Sequence, residues 1–457
     1  MVDQVTPATT TRVTVEELVA QYVARNPRSR ELFERAQASL PGGNTRTGLY
    51  MTPFPFYADR GEGKFLYDVD GHRLLDFVNN NTVLVQGHAH PEVVAAIVEQ
   101  TARGTGFSRP TALEIELAEE LQHRVPSLER VRFCNSGTEA ALNAMRAARG
   151  FTGKAKIAKF EGAYHGTSDH ALVSHVPPIG PELGPVDRPA SVASSAGLGG
   201  ATEEVVVLPF NNIAACEQII AEHAADLAAV IVDPLMTGVG MTLPVDGFLS
   251  KLREVTARHD VLLIFDEIIS LRVARGGAQS LYGVRPDLTA MAKIVAGGTP
   301  GGAFGGRADV MALFDPRPGA RIPQAGTFNG NPVTMAAGLA TLRLLTQEAY
   351  ERLDALTARV ADGLRAAFAA AGVTAQVTNV GSLFRVHFLP EPPRDYRAAA
   401  ADDKRLHQAL FFWLLNHDIL WGLGGNLSLV MDEGDVDTLV TAVRSALEEV
   451  ELPQRAA

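Results

Sequence analysis

Two residues of this 457-residue chain have the types and spacing for carbonyl–amine chemistry. Asp266 ends the apolar run Leu262-Leu263-Ile264-Phe265, and Lys293 stands in Ala292-Lys293-Ile294-Val295-Ala296-Gly297-Gly298. A short apolar run bounded by charge reads as a buried parallel strand, and ligands in open α/β sheets sit where such strands end, so Asp266 is delivered into a cleft. Lys293 follows 27 residues later (293 − 266 = 27), enough for a loop, a helix and a return to the same rim. The small residues around it leave room for a bulky partner. A desolvated lysine forms an imine while a carboxylate holds the proton on a pyridine nitrogen, the pair that pyridoxal phosphate (PLP) needs as an electron sink. Taken alone, each residue has an ordinary reading too, as a helix-capping acid and a solvated lysine.

The accompanying groups carry the case. After an expected strand Val131-Arg132-Phe133-Cys134 comes Asn135-Ser136-Gly137-Thr138-Glu139 and an alanine-rich helix. Glycine admits close backbone approach, Ser136 and Thr138 offer hydroxyls, and the first helical amides point at an anion; a plain Ser136–Glu139 capping box is the competing reading. Glu161-Gly162-Ala163-Tyr164-His165-Gly166 follows another strand end, which aims Tyr164 and His165 at the same rim, where an aromatic ring can stack on a flat cofactor. Arg46 lies among Leu49, Tyr50, Phe54 and Phe56 and is either a solvated charge or a clamp for a substrate carboxylate. His88 and His90 lack a third ligand and read as a loop entering a helix at Pro91, so no metal is expected.

These residues need elements to hold them. Expected strands at 131–134, 156–160, 205–208, 230–232 and 262–265 alternate with helices, which predicts an α/β fold with a mostly parallel, doubly wound sheet. One or two helices are expected within 12–40, a hairpin around Asp70-Gly71, and a glycine-bracketed strand at 301–306. Beyond the large domain, a strand at 382–388, a helix at 406–415, a strand at 427–430 and a last helix at 436–449 form a smaller α+β domain that shares its sheet with the hairpin. The expected division is 1–75 with the small domain, 76–345 as the PLP-binding domain and 346–457 as the rest of the small domain. Residues 177–202, dense in Pro, Gly and Ser, read as a lid.

Composition narrows the partners. A net charge of −11 and pI near 5.6 argue against nucleic acid or an anionic membrane surface, and no run of 18 apolar residues exists. Cys134 and Cys216 give neither a disulfide framework nor metal-ligand spacing, and Met1 to Thr11 lacks a secretory pattern, so a cytoplasmic location is expected.

In order, Asn135-Ser-Gly-Thr-Glu-Ala140, Tyr164-His165-Gly166, Asp266-Glu267-Ile268, Asp287-Leu288-Thr289 leading to Lys293, and Gly326-Thr327-Phe328 closely resemble class III PLP-dependent aminotransferases of fold type I. The resemblance spans about residues 40–450 and implies a seven-stranded large-domain sheet. It further implies that Lys293 binds the cofactor and shuttles the proton, that Asp266 pairs with the pyridine nitrogen, and that Ser136, Gly137 and Thr138 hold the phosphate. Tyr164 and Ile268 would cover the ring faces, with His165 and Asp233 also at the cofactor. Thr327 would reach the phosphate from a second subunit, making a homodimer obligatory. Arg46 and Val83 complete the set as candidate substrate-binding residues.

Within the class the chain is most similar to the glutamate-1-semialdehyde aminomutase branch, and at 302–315 and Phe411-Phe412 to its β-amino-acid (β-phenylalanine) aminotransferases. It departs where Asp233-Pro234 stands for the usual Glu-Pro, where Met236 stands for a glutamine, and where Trp421-Gly422-Leu423-Gly424-Gly425-Asn426 lacks the second arginine of the β-amino-acid enzymes. The expected activity is ping-pong amino transfer between an amine or (β-)amino acid with a hydrophobic substituent and a keto acid or ketone. The alternatives are a 2,1-aminomutase and, more remotely, an inactive PLP-binding scaffold.

Overall fold

The computed structural model describes residues 12–317, 319, 321–422 and 424–452; the expectations resting on Met1 to Thr11 and on Leu423 lie outside the described residues. A seven-stranded sheet runs in the order Arg130–Cys134, Gly302–Gly306, Leu288–Ala292, Leu262–Asp266, Leu227–Val232, Lys156–Phe160, Val205–Leu208. Only Gly302–Gly306 is antiparallel to its neighbours. Helices cover both faces, so the middle strands are buried along their whole length and are written as unbroken apolar runs. Their carboxyl ends therefore carry the first polar residues that emerge from the core, Asp233 and Asp266.

The two chain ends pack together. Helix Val15–Arg25 lies on helix Lys404–Asn416, and Val13 bridges to Val450. Of two expectations for this region, the sheet shared with the hairpin holds in part and the last strand is corrected. The hairpin strands Ala58–Glu62, Phe65–Asp68 and Arg73–Asp76 are joined by Ile419–Leu420 in parallel, while Leu383–His387 belongs to a separate sheet with Gln376–Val380 and Gly424–Asn426. The last strand is thus Gly424–Asn426 and not 427–430. Past Asn426 the backbone leaves the ladder, the Leu427 amide donating to Ser382 O and the Leu429 amide to Val85 O. Segment 177–202 is docked on the body: Arg397 donates to Leu183 O and Gly184 O at 2.9 and 2.8 Å while pairing with Glu161, and Tyr396 donates to Pro177 O. Among the described residues no helix is long and apolar enough to cross a membrane.

One buried cation joins these parts beside the cleft. Arg272 is 1% exposed and donates to Ser382 Oγ at 2.8 Å, Thr82 O at 2.7 Å, Asn426 Oδ1 at 2.9 Å and Leu427 O. No carboxylate pairs with it among the described residues, and burial pushes its guanidinium down to about 9. It clamps Asn79–Thr82, a turn in which all four residues have left-handed φ values between 46° and 72°. Removing Arg272 leaves several buried acceptors unsatisfied, so Arg272→Met is expected to cost about 3 kcal/mol or more. Thermal unfolding checks this; a midpoint within 1 °C or so of wild type would show that the turn stands without its clamp.

Candidate active site

Asp266 ends its strand with one carboxylate oxygen accepting from the Ile268 amide at 3.1 Å and the other 2.7 Å from His165 Nδ1. His165 is 1% exposed and stands behind the carboxylate, off the cleft wall. His165, expected at the cofactor, does not line the cavity: successive residues on a loop turn opposite ways, Tyr164 outward into the cleft and His165 inward against Asp266. What His165 does is orient Asp266. Tyr164 is 45% exposed there, its ring 5.1 Å from that of His175. Ile268 faces the cleft across from it, and Gly137 makes room, since a Cβ at 137 would lie 2.8 Å from Ile268 Cδ1.

Helix Gly137–Thr152 also begins at the cleft. Ser136 Oγ accepts from the Glu139 amide at 3.1 Å, so half of the capping box forms, but the Glu139 carboxylate turns to the Asn135 amide at 3.0 Å. The amides of Gly137 and Thr138 find no acceptor among the described residues and face the cleft with the positive end of a 16-residue helix.

Lys293 enters from the end of strand Leu288–Ala292 in a left-handed conformation (φ 53°) and donates to Asn81 O at 2.6 Å. Burial pushes its amine down to about 8, helped by the charges of Arg272 and Arg46 and opposed by Asp266. Asp233 also lines the cleft, capped by the Leu235 and Thr237 amides at 3.0 and 2.7 Å; burial, with the charge of Asp266, pushes it up to about 6. Arg46 and Val83 line the same cleft, Arg46 exposed at its mouth. Thr327 does not line it. It sits on an exposed loop with Phe328, which is tied to the body through Asn329 to Asn135 and Asn331 to Thr105 O, both at 2.8 Å.

The cavity, about 740 Å³, thus offers a carboxylate, anion-seeking amides, an aromatic and an aliphatic side chain, and a desolvated amine. Those donors fit a pyridine ring that carries a phosphate and an aldehyde. Sequence reasoning missed Arg272, the Asn81 carbonyl and, on strand Leu383–His387, Arg385. The signal for Arg385 was present, a charge alternating with Leu383 and His387 along one strand face.

A mostly parallel seven-stranded sheet with this lysine and aspartate at its carboxyl edge defines the PLP enzymes of fold type I. The family model for aminotransferase class-III matches residues 50–408, and the chain belongs to that family, whose cofactor is PLP. A glutamate-1-semialdehyde 2,1-aminomutase from Rhodopirellula baltica is 39% identical over 432 residues, 93% of this chain and 96% of that protein. An omega-transaminase from Sphaerobacter thermophilus superposes with a TM-score of 0.89 at 45% identity, covering 93% of this chain and 99% of that one. A β-phenylalanine aminotransferase from Variovorax paradoxus gives 0.85 at 39% identity, with 95% and 96% covered.

The position of the lysine titration predicts a pH profile. Only the neutral amine attacks an aldehyde, so cofactor uptake by the apoprotein should accelerate as pH rises and level off above about 8. Stopped-flow absorbance checks it. An inflection near 10, or the same profile in Lys293→Ala, would contradict the assignment.

Proposed function

We propose that the protein is a homodimeric aminotransferase working by a ping-pong cycle between an amine or (β-)amino acid with a hydrophobic substituent and a keto acid or ketone. The observation that carries this is the amine of Lys293, desolvated beside Asp266 and resting on a backbone carbonyl, in a cleft whose mouth holds Arg46. The bound cofactor supplies the electron sink for the carbon that loses its proton. Asp266, fixed by His165 and the Ile268 amide, keeps a proton on the ring nitrogen. Lys293 Nζ takes the proton from the substrate carbon that bears nitrogen and returns it on the other side of the transfer. Ser136, Gly137 and Thr138 would hold the phosphate, and Tyr164 and Ile268 would cover the ring.

The exposed apolar side chains Val98 (61%), Ile115 (61%) and Phe328 (66%), with Val94 and Phe107, support burial against a second copy. The loop carrying Phe328 is bound to Thr105, two residues from Phe107, so Thr327 lies on the same face. Heterodimers test its role across the interface. Mixing Lys293→Ala with Thr327→Asp should restore activity, because one of the two sites then has both residues intact; no recovery would put Thr327 in its own subunit's site.

For activity, the holoenzyme should lose its visible cofactor band and gain the band near 330 nm, a general property of the aminated cofactor, on addition of β-phenylalanine or an aryl-alkyl amine. A spectrum that does not change with either donor would sink the reading. Arg46→Ala should raise KM for keto acids about tenfold or more while leaving simple amines nearly unchanged, as expected for loss of a charge-assisted pair. Equal effects on both would remove Arg46 from that role. A second reading, an aminomutase, is favoured by the curated relative named above. It would convert an amino aldehyde or diamine to its isomer with no acceptor present.

A further inference from the structure

A second cavity of about 450 Å³ opens from the cleft on the side of the small sheet. The two share Thr237, Ile269 and Lys293 in their walls, so whatever is bonded near the lysine amine can reach into the second space. Most of its lining is apolar or backbone: Val78, Met241, Leu383, Phe384 and the glycines 422, 424 and 425. The loop expected to carry an arginine contributes these glycines instead.

Arg385 supplies the cationic side chain at the far wall. It comes from strand Leu383–His387, directly paired with Gly424, and a Cβ at 424 would fall 2.9 Å from Arg385 Cδ. The glycine thus leaves the space through which the arginine side chain runs. Among the described residues the Arg385 side chain makes no hydrogen bond or ion pair, and its Nε is buried without a partner. Asp402, the acid that acts on it electrostatically, is already engaged by the Phe388 amide at 2.7 Å, by His407 at 2.9 Å and by His387 at 3.6 Å. Burial pushes the guanidinium down only to about 10, so it stays charged at neutral pH. A half-buried guanidinium whose Nε is buried without an acceptor, with no side-chain ion pair and facing a cavity that opens on the reacting lysine, is a site suited to an anion brought by a ligand.

We infer that Arg385 binds the carboxylate of the amino substrate, replacing from the small sheet the guanidinium that the 421–426 loop lacks, and that the natural donors are amino acids rather than simple amines. This rests on the aminotransferase reading above. With Arg46 at the mouth of the cleft and Arg385 in the side cavity, two guanidinium groups flank Lys293, and a donor and an acceptor that each carry a carboxylate have separate anchors.

The test separates binding from turnover. Wild type, Arg385→Gln and Arg385→Lys holoenzymes are titrated by calorimetry with 3-phenylpropanoate, an unreactive carboxylate, and with 3-phenylpropanamide, its uncharged counterpart; thermal midpoints establish that the variants fold. Arg385→Gln should weaken the carboxylate by about tenfold to a hundredfold, the range for a charge-assisted hydrogen bond, and leave the amide unchanged. Arg385→Lys should recover part of the loss. In half-reactions, kcat/KM for β-phenylalanine should fall by a similar factor while that for 1-phenylethylamine holds. The inference is overturned if carboxylate and amide weaken together, if the carboxylate is unaffected, or if the wild type binds no carboxylate. A wild type that binds the carboxylate through Arg385 yet turns over no donor would instead refute the aminotransferase reading and leave Arg385 as an anion site.

Discussion

An amine that must be uncharged near neutral pH while standing beside a carboxylate is the constraint on which the rest of this structure depends. Lys293 is brought toward it by burial and by the positive charges of Arg272 and Arg46, which lower its titration to about 8, while its hydrogen bond goes to a backbone carbonyl rather than to an acid. Each device has a structural requirement. The carbonyl belongs to a turn of four left-handed residues, and that turn is tied by Arg272 to Ser382, just before strand Leu383–His387, and to Asn426 at the end of strand Gly424–Asn426. The chain ends are therefore part of the site's support, although neither carries the reacting groups.

The carboxylate beside the amine is managed with equal economy. His165, invisible from the cleft, fixes one oxygen of Asp266, and the turn into Ile268 fixes the other. The neighbouring Glu267 points away and is consumed inside the protein by Ser270 and the Ala278 and Gln279 amides. Two consecutive acids thus divide the work. One faces the cleft and the other closes off the start of the next helical segment.

Much of this was legible in the residues. Buried parallel strands are written as apolar runs because both faces are covered, and the glycines and hydroxyls of 135–139 can serve few purposes at a strand-to-helix turn. Lys293 and Asp266 meet in one cleft as their spacing implied, and the 136–138 turn joins them there as the family resemblance implied. The directions of Tyr164 and His165 were not legible, because a loop's local twist decides which neighbour faces the core. The sheet partner of 382–388 was not either, since strand pairing between distant segments depends on what the intervening helices leave open.

The sequence by itself determined the order of elements, the family and the chemistry of the lysine–aspartate pair, because periodicity and motif spacing are local properties. Only the tertiary structure decided that Arg272 and Arg385 matter. A charge in an apolar strand or turn looks like an accident until the fold removes its solvent and shows which has acceptors around it and which has none. That difference is set by contacts between segments more than a hundred residues apart, where the cost of burying an unpaired cation outweighs any local preference.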